Sequence, residues 1–125
     1  MSEAQQVFRE YLDAYNAKDV GAMLGCFGDG CVFENISGGK VTARTQGKAE
    51  LEALARKSAD AFESREQRLL SLTEGQDRLV AEIDYHAKLQ SDLSPELRAG
   101  CEIKLRGVSV LEFAGGKIVR LTDYS

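Results

Sequence analysis

Histidine, proline and long apolar runs are scarce in this chain, and the shortages remove classes of function. A single histidine, His86, rules out a His-rich metal site and leaves a Ser-His-Asp triad only that one residue to use. No G-x-S-x-G stretch supplies a nucleophile elbow. The three cysteines, Cys26, Cys31 and Cys101, are odd in number and lack C-x-x-C spacing, so neither a disulfide framework nor a zinc site is indicated. They read as small buried hydrophobes, reduced and metal-free, and no cofactor is expected. No apolar run approaches the roughly 18 residues needed to span a bilayer, and Met1 to Glu10 lacks a basic start followed by an apolar stretch. The expectation is a cytoplasmic chain that is already mature. Net charge is −4 with both signs interspersed, which offers no basic patch to nucleic acid or to an anionic membrane. An uncharged or cationic small ligand suits that balance.

What is present fits one soluble domain over residues 1–125. Hydrophobic residues at 43% and charged residues at 29% exclude a disordered or fibrous chain. The length is enough for one buried core and too short for two. Ser2 with Gln5 has the form of a capping box, and Val7, Phe8, Tyr11, Leu12 and Tyr15 recur at helical spacing, predicting a helix over about 4–17. Asp19 can cap a second helix over 20–27, stopped by Gly28-Asp29-Gly30. Cys31 to Ile36 and Lys40 to Thr45 read as a hairpin around Ser37-Gly38-Gly39, and a third helix is expected over 47–62. The rest reads as an antiparallel meander: Glu66 to Thr73, Arg78 to Leu89, Cys101 to Phe113 and Lys117 to Tyr124. The only proline, Pro95, sits in the loop from Gln90 to Gly100. Helices early and long strands late make an α+β fold in which a curled antiparallel sheet wraps three helices as a half-open cone.

Alternation assigns the faces. Cys101, Ile103, Leu105, Gly107, Ser109, Leu111 and Phe113 share the nearly uncharged face of the penultimate strand, which must be the inner one. On the last strand the inner set is Val119, Leu121 and Asp123, with Ile118, Arg120, Thr122 and Tyr124 outside. Leu79, Ala81, Ile83, Tyr85, Ala87 and Leu89 point inward, leaving Glu82, Asp84, His86 and Lys88 outside. A single bulge would invert part of this pattern.

The chain resembles the nuclear transport factor 2-like, cystatin-like fold. Within it, the chain resembles the SnoaL-like polyketide cyclase and steroid delta-isomerase group. The residues that carry the resemblance are Tyr11-Leu12-Asp13-Ala14-Tyr15-Asn16-Ala17-Lys18-Asp19, Cys26-Phe27-Gly28-Asp29, Val32-Phe33-Glu34-Asn35, Gly47, and Phe113-Ala114-Gly115-Gly116-Lys117-Ile118. It covers essentially the whole chain and is specific for fold, because the group includes isomerases, cyclases, epoxide hydrolases, dehydratases and non-catalytic domains. By this resemblance Tyr11 falls where the steroid isomerases place their oxyanion-binding tyrosine. Asn35 falls where they place the general-base aspartate, and Ser109 where an acidic residue donates to the substrate oxygen. An amide cannot take a proton at neutral pH, so two of three roles are missing.

Asp123 is the acid this chain offers instead. Proton abstraction next to a carbonyl needs a base and donors aimed at the oxygen that gains charge. Asp123 and Tyr11 are the candidate catalytic residues, and Asn35 and Ser109 candidate ligand-orienting donors. Phe33, Leu54, Phe62 and Tyr85 are the expected apolar walls. Plainer alternatives stand beside these: Asp123 as a cap, Tyr11 as a core tyrosine, Asn35 bonded to its own turn, and Ser109 as a small polar residue. The expected ligand is a small apolar carbonyl-type molecule acted on by a cofactor-independent isomerase, cyclase or lyase. The alternative is a non-catalytic ligand-binding or dimeric assembly domain. Val80, Val108, Val110, Ile118 and Tyr124 make the outer sheet face more apolar than a solvated sheet requires. The resemblance also implies a symmetric homodimer through it, with Arg106 and Arg120 at its rim.

Overall fold

In the computed structural model, which describes all 125 residues, Ser2 opens the first helix by accepting a hydrogen bond from the Gln5 amide. This helix, α1 (Glu3–Asn16), buries Phe8, Tyr11, Leu12 and Ala14 on one face. Asp19 caps the short α2 (Val20–Leu24) through the Ala22 amide. Gly25 ends α2 three residues earlier than the spacing predicts, and Phe27 already belongs to a strand. That strand, β1 (Phe27–Ser37), forms a hairpin with β2 (Lys40–Gln46). Its two-residue turn needs left-handed backbone at Gly38 and Gly39, with φ of 58° and 80°. α3 (Lys48–Ala61) passes straight into β3 (Phe62–Gly75), which starts four residues before the expected Glu66. Phe62-Glu63-Ser64-Arg65 lacks β-branched residues and reads as a connection; the tail of α1 holds it as a strand. Asn16 bonds the Gln67 amide and carbonyl, and Lys18 donates to the Phe62 and Glu63 carbonyls.

β4 (Arg78–Leu89), β5 (Glu102–Ala114) and β6 (Lys117–Tyr124) complete a sheet of order β2-β1-β6-β5-β4-β3. The meander from β3 to β6 is antiparallel as expected. The expectation of a wholly antiparallel sheet is corrected at one place: β1 docks beside β6 in parallel. Two strands far apart in sequence are adjacent there, and alternation carries no signal for that pairing.

The outer and inner faces follow the predicted alternation on β4 and β5. On β6 a register shift between Glu112 and Phe113 leaves Val119 without a partner and turns Ile118 inward, opposite Phe113. Ile118 is fully buried in the core, so it is removed from the outer-face patch; Thr122 is buried as well. The main core joins Phe8 and Leu12 of α1, Phe27 and Cys31 of β1, and Leu79, Leu111 and Leu121 of the sheet. A second, smaller cluster holds Ala61, Phe62, Ala87 and Leu89. None of the cysteines is paired, and no helix is long and apolar enough to cross a membrane.

Candidate functional site

One row of the sheet assembles three of the candidate residues. Asn35 pairs with Asp123, Asp123 with Ser109, and Ser109 with Ala81, so all four side chains leave the same face of adjacent strands. Ala81 is buried in the main core, which fixes that face as the interior. Asp123 therefore points inward, as alternation predicts. One row below, Phe33, Leu121, Leu111 and Leu79 stand side by side and close the floor.

Ser109 donates to Asp123 Oδ1 at 2.6 Å. The second carboxylate oxygen has no protein partner. It is not sealed either, because the one fully buried side-chain polar atom without a partner is Thr45 Oγ1. Asp123 thus keeps one oxygen free toward accessible space. Desolvation pushes its carboxyl from 3.8 up to about 6, opposed by the Ser109 bond. The residue as a whole keeps part of its surface, so the effect belongs to the carboxyl group's immediate surroundings.

Tyr11, 4% exposed, feels the charge of this carboxylate. Burial raises its phenol well above the ordinary tyrosine range, and the charges of Asp123 and of ionised Tyr15 add to the rise. A hydrogen bond from Gln67 and the charge of Arg65 oppose it. Tyr11 is a neutral donor at any ordinary pH. Its ring meets Phe27 edge-on at 5.7 Å and Tyr15 at 6.2 Å, so the core-tyrosine alternative describes the packing of the ring.

The other expected residues divide. Tyr85 is inward and its hydroxyl lies 2.8 Å from that of Tyr15. Phe62 belongs to the second cluster and reaches the site only through the Tyr85 ring, 6.4 Å away. Leu54 is half-buried on α3 rather than part of the packed stripe, where Leu51, Ala55 and Ala59 are buried instead. Asn35 faces inward beside Asp123, yet its amide nitrogen donates to Thr42 Oγ1 at 2.8 Å and Ser37 Oγ at 3.3 Å. The hairpin thus claims its donor and leaves the carbonyl oxygen.

Two residues were not anticipated. Arg65 and Gln67 are buried on the inner face of β3, and Gln67 pairs with Tyr85. Their signal was available: 65, 67 and 69 alternate in phase with the inward Leu69. The late start assigned to the strand hid Arg65, while Gln67 lay within the expected range.

The mouth of the cone lies where β6 runs out. The β5–β6 pairing ends at Val108 opposite Tyr124, leaving Glu102 to Arg106 without that neighbour. Leu105, opposite Tyr85 on the inner face, is 39% exposed as a result. Two concavities of about 330 and 340 Å³ lie elsewhere. The first is lined by Ser64, Glu66, His86 and Lys104 on the sheet, the second by Ser2, Glu3, Glu74 and Gly116 at the start of α1. Neither touches Asp123. Polar candidate side chains converge at Asp123, whereas those linings are ordinary surface side chains.

The family described as SnoaL-like domain matches residues 8–121. A candidate polyketide cyclase from Xanthomonas campestris pv. campestris superimposes with a TM-score of 0.83 at 22% identity, covering 98% of this chain and 90% of that one. Another from Pseudomonas putida gives 0.80 at 25%, with coverage of 98% and 90%. A Mycobacterium tuberculosis LEH-like epoxide hydrolase gives 0.78 at 19%, covering 98% and 81%. No curated protein matches. The fold is common to all of these, while their names span two different chemistries.

Proposed function

The chain belongs to the SnoaL-like domain family, and within it we propose that the cone binds a small, largely apolar carbonyl compound and that Asp123 moves a proton on it. The observation that carries this reading is the desolvated Asp123 carboxyl, held by Ser109 on one oxygen and free on the other, with Tyr11 near enough to feel its charge. A carboxylate with a pKa near 6 is mostly ionised at neutral pH and still returns a proton readily. Asp123 takes the proton from the carbon next to the carbonyl, and the bonding pair moves onto the carbonyl oxygen. Tyr11 donates to that oxygen as its charge grows. Returning the proton to another carbon gives an isomerase; ring closure or loss of a leaving group from the enolate gives a cyclase or lyase. No step requires a cofactor.

Deuterium exchange tests this without knowledge of the natural reaction. Cyclic ketones and 1,3-diketones incubated in deuterated buffer should lose their acidic C–H signals by NMR faster with the protein. Asp123→Asn should abolish the acceleration, and the wild-type rate should rise with pH through about 6. Exchange that survives the substitution would contradict the assignment.

A second reading, a carrier or assembly domain without turnover, draws on the filled floor formed by Leu79, Leu111 and Leu121 and on the position of both concavities away from Asp123. Binding of the same ketones without exchange would favour it. In either case the outer face is proposed to carry a symmetric homodimer. Val80, Val108, Val110 and Tyr124 occupy adjacent register positions there, and Ile36 and Val41 extend the patch across the parallel junction.

A further inference from the structure

A guanidinium remains charged at any pH that a folded protein meets, and burying one without a carboxylate is costly. Arg65 is nevertheless 6% exposed and forms no ion pair. Its firm contacts go to one residue. Nε donates to the Tyr15 carbonyl at 3.1 Å, and the guanidinium carbon stands 3.8 Å from the centre of the Tyr15 ring. The remaining nitrogens find only Ser58 Oγ at 3.4 Å and the Met23 sulfur at 4.0 Å. The Tyr15 carbonyl lies in the last turn of α1, where it also accepts the Lys18 amide at 3.0 Å and the helix end is negative. α1 has no basic residue of its own there. A helix terminus and an aromatic face thus replace the missing carboxylate.

We propose that Tyr15 is a second hydrogen-bond donor to the ligand of the Asp123 site and that Arg65 is the positioning residue that holds and polarises it. The proposal rests on the reading that this site receives an oxygen bearing or gaining negative charge. Access supports it: Tyr15 and Tyr85 keep part of their surface, whereas Arg65 beneath them does not. The two hydroxyls lie 2.8 Å apart and either can donate. When Tyr85 donates, the proton of Tyr15 is left for another acceptor. Burial raises the Tyr15 phenol overall, Arg65 lowers it, and the Asp123 charge reaches it as it reaches Tyr11. The Tyr15 ring stands 6.2 Å from that of Tyr11, and Tyr85 and Asp123 face the same interior of the sheet. A cation over the ring draws charge from the phenol, making it a stronger donor. Rings on either side, Tyr11 and Tyr85, each 6.2 Å away, hold its plane.

4-Nitrophenol, whose phenolate is coloured, serves as the probe, in an Asp123→Asn background so that no carboxylate repels it. Absorbance titration at pH 7.5 should show binding that Tyr15→Phe weakens on the order of tenfold. Arg65→Met should weaken binding several-fold when Tyr15 is present and have no further effect on Tyr15→Phe. A purely structural arginine would give the same loss in both backgrounds, and that additivity would overturn the positioning role. An unchanged affinity in Tyr15→Phe would overturn the donor role. Arg65→Lys retains the charge if the methionine variant fails to fold; its carbon-13 tyrosine spectrum should shift the Tyr15 ring carbon that bears the hydroxyl, and an unmoved signal counts against the proposal. Absence of nitrophenol binding altogether also overturns it. The proton-transfer reading is judged separately by deuterium exchange, which uses no phenol.

Discussion

Burial of the Asp123 carboxyl links protonation to stability with a definite sign. Its pKa is about 6 in the folded chain against 3.8 for an ordinary aspartate. The folded state thus binds the proton more tightly, and the group favours folding most below about pH 4. That contribution disappears as pH rises through about 6, where the desolvated charge becomes a cost. Asp123→Asn keeps the shape and an acceptor for Ser109 while removing the charge. It should raise stability at pH 7.5 by about 1 kcal/mol, less than the full shift implies because the residue is partly exposed, and the gain should vanish near pH 4. Thermal melts across that range check it; a variant less stable at pH 7.5 would speak against a desolvated charge. The position of Asp123 was legible because strand alternation near the end of a chain is simple to follow, and Ser109 followed from the same parity. Arg65 was not, since an arginine before a suspected strand reads as solvated. That the hairpin would claim the Asn35 amide was one of the readings the sequence offered, though Thr42 as its partner depends on the bulged register of that hairpin.

Between residues and the whole, the strands decide how the site opens. Gly107 lies just past the last β5–β6 pair, and a Cβ built there would stand 2.7 Å from the Tyr124 carbonyl oxygen. That oxygen is backbone and cannot swing aside. Gly107→Ala should therefore cost about 1–3 kcal/mol, read as a lowered denaturant midpoint, and should weaken ligand binding because Tyr124 adjoins Asp123. A neutral substitution would mean that the end of β6 yields freely. Helices were the most legible elements: the apolar stripe and cap of α1 and the cap of α2 appear in the sequence as they do in the fold. The bulge at Val119 was not, because one unpaired residue leaves no compositional mark, and it reversed Ile118.

For the molecule as a whole, the α+β cone was readable from the order of helices and strands, whereas the parallel junction of β1 with β6 depends on contacts distant in the chain. The outer face supplies the prediction at this scale. Val110→Arg places a charge among Val80, Val108 and Tyr124, so light scattering at micromolar concentration should give a dimer mass for the wild type and a shift toward monomer for the variant. A monomeric wild type would remove the proposal. The opposite border of the sheet has a different destiny. Asn16 gives the Gln67 amide an oxygen at 2.8 Å and the Gln67 carbonyl an N–H at 3.1 Å, the two partners that another strand would have supplied. To an incoming peptide this stretch of β3 is already occupied. Endless ribbons form by adding edge to edge, and each copy must expose two compatible edges to propagate them. A side chain from the end of one helix withdraws this stretch from that arithmetic, so growth of the sheet past β3 is blocked here while face-to-face association stays open.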